Sequence, residues 1–179
     1  MEKLKQMRVS GVVKEYSYSS RVVINDYIPF SVSFSKKNDT STNQYFRFGN
    51  GVTSLTEVCI DSETGLLKEI IVVLVANCIY AKGKFDLEGF EIETGMPLFS
   101  LREILKDEIY VDEFSSDDVI TIFDDAFVLD TKKYSANEKV LYIQCGDVIF
   151  AMNDDKLVVR IILLLNKKFY KKHILSFCI

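Results

Sequence analysis

Hydrophobic and polar positions along this chain alternate far more often than they recur at helical spacing. Phe30, Val32 and Phe34 fall on one side of an extended backbone, and Ser31, Ser33 and Ser35 on the other. Successive side chains of a strand point to opposite faces, so this run predicts a strand with one buried face. β-Branched and aromatic residues dominate 9–18 and 22–28, which predicts two more strands with Ser19-Ser20-Arg21 as the turn between them. Tyr45–Phe48 begins another strand after a polar loop at 36–43. Asp61-Ser62-Glu63-Thr64-Gly65 is a reverse-turn signal, because Asp opens such turns and Gly tolerates the positive φ that leaves them. It joins a strand over Ser54–Ile60 to a longer one over Leu66–Tyr80.

Two stretches break the alternation. Ile70–Ala76 and Leu157–Leu165 are apolar on both faces, as a central strand covered above and below must be. Helix signals are scarce. Ser100 and Glu103 fit a capping box, which predicts a short helix over 101–107 with Leu101, Ile104 and Leu105 as its apolar stripe and Pro97 fixing the approach. A second short helix is predicted over 167–175, where Phe169 and His173 lie four apart. The fold class that follows is mainly β (α+β). It is either two stacked layers or one strongly curved, largely antiparallel sheet, with one or two short helices.

The pattern also echoes itself. Residues 30–75 read as strand, polar loop, strand, acidic turn and long apolar strand, and residues 127–165 read the same way. The length of 179 residues suits a single domain over 1–179 with a sizeable core. The longest apolar runs are far too short to span a bilayer, and no apolar stretch follows the basic start, so a cytoplasmic protein is expected.

Charge changes the picture. Six basic residues and no acid follow Asp155, so the preceding body carries 16 basic against 26 acidic groups. Such a body repels nucleic acid and attracts basic partners. From Asp107 to Asp130 there are nine carboxylates and no Lys or Arg (Asp107, Glu108, Asp112, Glu113, Asp117, Asp118, Asp124, Asp125, Asp130). Ile109, Tyr110, Val111, Phe114, Ile120, Ile122 and Phe123 are interleaved with them. Three readings compete: a solvated face, a docking surface for a basic protein, and a metal site or glycosidase-like carboxylate pair. The second makes Asp107, Glu108, Tyr110, Asp112, Glu113, Phe114, Asp117 and Asp118 the partner-binding residues, with Tyr110 and Phe114 as anchors. The third is poorly served, since EF-hand spacing and tryptophan are both absent.

Other chemistry is thin. No Gly-x-Ser-x-Gly, Walker or His-Glu-x-x-His motif occurs. The one histidine, His173, reads as a surface or capping residue. Cys59, Cys78, Cys145 and Cys178 are far apart in sequence and read as reduced core thiols, so neither a metal nor a cofactor is expected. The basic segment 167–173 reads as an exposed terminus that folds back on the acidic face. Tyr16, Tyr18, Tyr27 and Tyr45 read as half-buried, with hydroxyls at the rim.

Residues 48–74, with their hairpin, acidic turn and Leu-x-x-Ile strand, resemble the ribbon of bacterial immunity proteins from contact-dependent growth inhibition and related polymorphic toxin systems. Residues 146–161 are similar to the second ribbon of such proteins. The resemblance implies a cytoplasmic, non-enzymatic protein that binds a cognate toxin domain, commonly a basic nuclease, and blocks its active site without touching nucleic acid or membrane itself. It transfers no functional residue, and the Lys-rich tail departs from it. Two other readings stay open: a small β-rich enzyme or ligand carrier with Asp124 or Asp147 as base, and an adaptor that self-associates through a strand edge.

Overall fold

The computed structural model describes residues 6–35, 40–101, 109–115, 118–131, 139–166 and 168–178. The first half contains β1 (Val9–Val13), β2 (Ser19–Val23), β3 (Phe30–Ser35), β4 (Asn43–Gly49), β5 (Ser54–Asp61) and β6 (Leu67–Val75). Four short strands follow: β7 (Ile79–Tyr80), β8 (Ile92–Thr94), β9 (Met96–Phe99) and β10 (Tyr110–Asp112). The second half contains β11 (Val119–Ile122), β12 (Ala126–Asp130), β13 (Leu141–Cys145), β14 (Val148–Met152), β15 (Val158–Leu164) and the helix α1 (Lys168–Leu175).

The fold is mainly β, as the alternation predicts. One sheet has the order β10-β4-β5-β6-β3-β2 and the other β7-β11-β12-β15-β14-β13-β8. All pairings inside each sheet are antiparallel except those of the short edge strands β10, β7 and β8, which are parallel. The inward residues of both sheets merge into one hydrophobic cluster. Phe46, Phe48, Val58, Ile60, Ile70 and Val72 come from the first sheet, and Phe127, Leu129, Phe150, Ile161 and Leu163 from the second. The sheets therefore stack as two layers sharing one core.

The two echoing segments occupy equivalent places. In the first, the strands run β4-β5-β6-β3 across the sheet, and in the second β13-β14-β15-β12, with β2 and β11 added beyond β3 and β12. Their turns also match. Asp61 Oδ1 accepts from the amides of Glu63 and Thr64, and Gly65 leaves the turn at φ 77°. Asn153 Oδ1 accepts from the Leu157 amide, and Lys156 takes the corresponding left-handed conformation at φ 61°. The two-stranded ribbon of β1 and β9 ties these turns together. The Phe99 amide donates to Gly65 O at 2.8 Å, and the Val9 amide donates to Lys156 O at 3.0 Å.

The layers differ on their outer faces. β14 and β15 are buried on both sides, as the doubly apolar run predicts. Ile149, Ala151 and Ile162 form a second cluster with Phe85, Leu87 and Phe90 of the segment before β8, and Phe90 stacks on Tyr142 at 4.5 Å. β6 is central in its sheet too, but its outward Ile71, Val73 and Leu74 are only half-buried.

Three local expectations are corrected. Ser19-Ser20-Arg21 is not a turn but the start of β2. The turn lies later, where Asn25 Oδ1 accepts from the amides of Tyr27 and Ile28 and directs the chain into β3. Serine and arginine tolerate an exposed edge strand, whereas Asn25 offers the side-chain acceptor that a turn needs. Pro97 does not lead into a helix but sits within β9 opposite Val12. Tyr27 is exposed rather than half-buried. The helix expected over 101–107 lies almost wholly outside the described residues, whereas the one expected over 167–175 is present as α1.

A Cβ on Gly65 would collide with the carbonyl oxygen of Phe99, while one on Gly83, also at positive φ, would meet open space. Gly83→Ala is expected to cost about 1 kcal/mol in urea unfolding, from backbone strain alone. Gly65→Ala is expected to cost at least ~2–3 kcal/mol, because the obstruction is hydrogen-bonded backbone that joins the ribbon to the first sheet. Equal losses for the two variants would show that the ribbon contact is not stabilising.

Candidate partner-binding face

The described residues of the acidic segment, 109–115 and 118–130, are neither wholly solvated nor wholly buried. β10 adds to the edge of the first sheet in parallel register, with Tyr110, Val111 and Asp112 beside Tyr45, Phe46 and Arg47. Val111 and Phe46 point into the core and are about 2% exposed. Alternation then turns Tyr110 and Asp112 outward. Backbone bonds extend the pairing beyond the strand: Tyr45 N to Ile109 O at 2.8 Å, Glu113 N to Arg47 O at 2.8 Å and Ser115 N to Gly49 O at 2.9 Å.

This pairing builds an exposed aromatic ridge. Ile109, Tyr110 and Phe114 are 59%, 50% and 42% exposed. Tyr110 stacks on Tyr45 with ring centres 5.3 Å apart. The Arg47 guanidinium lies 4.7 Å from the Tyr110 ring centre and 5.4 Å from that of Phe114. Arg47 Nε also donates to Asp112 Oδ1 at 2.5 Å, which holds Arg47 more firmly protonated than an ordinary arginine. Phe114 rests against Gly51, next to the exposed Val52. The ridge is thus held in shape by its own contacts, and ordering it on binding costs little further entropy.

The carboxylates of this segment have structural work. Glu113 accepts from the Met7 amide, and Asp118 Oδ2 accepts from the Gly49 amide at 2.8 Å. Asp125 accepts from the Phe85 amide at 2.8 Å, and Asp130 pairs with Arg160 at 2.5 Å. Asp124 accepts from Tyr80 Oη and the Gly83 amide and pairs with Lys171. Of the eight residues expected to bind a partner, Tyr110, Asp112 and Phe114 stand together on the ridge. Glu113 and Asp118 are half-buried loop ties, and Asp107, Glu108 and Asp117 lie outside the described residues. Ile120 and Ile122 belong to the core.

Two acids were not singled out in the sequence. Glu57 and Glu69 point outward from the central strands β5 and β6, in rows Arg47–Glu57–Ile71 and Tyr45–Cys59–Glu69 across the sheet. Partial burial pushes both carboxyls above the usual glutamate range; Arg47 works against this at Glu57, and a Ser31 hydrogen bond does so at Glu69. Their signal was an acid at an outward position next to buried neighbours, Thr56 and Val58 for Glu57 and Ile70 for Glu69. Together with Tyr45, Arg47 and the ridge they line a half-buried face over which the described residues form no second hydrophobic cluster.

Catalytic geometry is weak elsewhere. A cleft is lined by Lys84, Asp124, Asp125, Asn166 and Lys171, but the Lys171 and Tyr80 hydrogen bonds hold Asp124 below the usual aspartate range, opposite to what a general base requires. Asp147 accepts from the Asn166 amide group. His173 Nε2 lies 3.0 Å from Asn25 O, and its ring meets Phe177 edge-on. The basic terminal segment is not merely exposed. α1 buries Tyr170 and Ile174, with Tyr170 against Phe30, while Lys171 reaches back to Asp124. Among the described residues no cluster of metal-ligating side chains occurs, and no helix is long and apolar enough to cross a membrane.

No protein-family model matches the chain, and no curated protein matches it in sequence.

Glu69 supplies a pH test of this face. Its raised carboxyl means that the folded state holds this proton more tightly than the unfolded chain. The ionised side chain therefore weakens folding above that raised value, and the penalty disappears as pH falls below about 4.5. Glu69→Gln is expected to raise the unfolding midpoint at pH 7, with the gain shrinking toward zero near pH 4. A gain that is the same at both values would mean that the carboxylate is not desolvated.

Proposed function

We propose that the protein acts by stoichiometric binding, covering a basic partner with the Tyr110–Phe114 ridge and the adjoining acidic sheet face. The observation that carries this reading is the ridge itself: Tyr110 and Phe114 are left exposed around one guanidinium, yet fixed by stacking on Tyr45 and by the Arg47–Asp112 pair. Isolated exposed apolar residues are ordinary, but a preorganised aromatic cluster with a charged rim has the make-up of a binding hot spot. The acidic balance of residues 1–155 supplies attraction over distance.

The ribbon resemblance gives the partner a class. In this reading the protein is a cytoplasmic immunity protein, the partner is a cognate toxin domain with a basic active site, such as a nuclease, and the ridge and face occlude that site. No reaction is assigned to the protein itself. Opposite charge contributes mainly to the association rate, while the buried aromatics determine how long the complex lasts.

The test is a binding titration against the toxin domain encoded beside this protein, together with growth protection on co-expression. A 1:1 complex is expected, with association slowing as salt rises from about 50 to about 500 mM. Tyr110→Ala and Phe114→Ala should each weaken the complex at least about tenfold, chiefly through faster dissociation. Asp112→Lys should slow association, and all three variants should keep the parental fold. Full affinity in both aromatic variants, or turnover of a substrate by the protein alone, would sink the proposal.

A further inference from the structure

The sulfur atoms of Cys78 and Cys178 lie 2.7 Å apart, although 100 positions separate them in sequence. Cys78 sits in the crossover from β6 to β7, which carries the chain from one layer to the other, and Cys178 lies just beyond α1. Both are half-buried and line a surface cleft with Asn77, Ile79, Asp118 and Val119. The other two thiols differ. Cys59 and Cys145 are buried, and Cys145 Sγ contacts Met96 Sδ at 3.7 Å.

We propose that Cys78 and Cys178 are a redox site, converted by a peroxide into a disulfide that locks α1 over the end of the core. In the first step hydrogen peroxide transfers one oxygen to the Cys78 sulfur, giving a sulfenic acid and releasing water. The Cys178 sulfur then attacks the Cys78 sulfur. The S–S bond forms as the S–O bond breaks, and the departing hydroxide takes the Cys178 proton as a second water. Two thiols are oxidised and one peroxide is reduced to two waters. Burial and the neighbouring Cys78 hold the Cys178 thiol above the ordinary cysteine range.

The lock acts on a helix with a small set of anchors. Tyr170 and Ile174 plug the core, Lys171 reaches Asp124 and Tyr80, and His173 meets Asn25. The noncovalent anchors open together when the helix lifts, whereas a bond at its far end holds both termini of the segment. Nothing in this proposal depends on what the ridge binds.

The experiment uses the full chain, reduced and then exposed to one equivalent of hydrogen peroxide. Thiol titration under denaturing conditions is expected to fall from four groups to two, and peptide mapping should recover one intramolecular cross-link, between Cys78 and Cys178. The unfolding midpoint should rise by about 5 °C or more, and trypsin cleavage after Lys171 and Lys172 should slow about tenfold. Cys178→Ser should form no cross-link. If that variant does not fold, comparison of the oxidised and reduced parental protein decides the matter alone. Four titratable thiols after oxidation, a cross-link to Cys59 or Cys145, or a bond only between separate chains would overturn the assignment, as would unchanged cleavage at α1.

Discussion

Everything in this molecule depends on two antiparallel sheets burying one face each against the other. The core that results is rich in phenylalanine, with Phe30, Phe46, Phe48, Phe99, Phe127 and Phe150 all fully buried or nearly so. Such rings bring large apolar areas into contact, and edge-on meetings such as Phe99 with Phe150 add to the burial. Stacking two sheets leaves open edges, and open edges invite further strands. The chain covers three of them with very short parallel strands, β10, β7 and β8, and holds one end with the β1–β9 ribbon. Short edges limit unwanted pairing between molecules. The same solution creates the candidate site, because the β10 strand that blunts an edge also presents Tyr110 and Asp112.

The acidic segment shows how one composition serves two purposes. Its carboxylates accept from backbone amides at Met7, Gly49, Gly83 and Phe85, groups that lie where strands end and ladder partners run out. An amide without an acceptor is costly once it is shielded from water, so a carboxylate at each such place stabilises the connection. Asp112, Asp124 and Asp130 are paired with Arg47, Lys171 and Arg160, so the segment fastens the fold through ion pairs as well as through capped amides.

Much of the architecture was legible because strands announce themselves locally. The Phe30–Phe34 alternation, the Asp61–Gly65 turn and the doubly apolar run before Leu165 each describe a single strand or hairpin, and each is found in place. The echo between 30–75 and 127–165 extends further than its residues, to a shared strand order that no local pattern encodes. What stayed hidden was long-range. Nothing near Tyr110 names Tyr45 as its neighbour, and nothing near Glu69 says that, among the described residues, the outer face of its sheet has no counterpart of the aromatic strap that Phe85 and Phe90 provide for the other layer. The proposed anchors Tyr110 and Phe114 were visible as aromatic residues among acids. The structural duties of Glu113 and Asp118 were not, because an acid that caps an amide and an acid that meets a partner are the same letter.

The parallel seat of β10 beside β4 has a consequence for synthesis. The two strands lie more than sixty positions apart, and the β1–β9 ribbon spans a still longer stretch. A ribosome releases the chain from its beginning, so the early sheet must wait with an unprotected margin until residues near 112 have emerged. Distant pairings of this kind slow folding and prolong exposure of sticky margins. Arg21 and the serines of β2 leave the opposite margin polar during that interval.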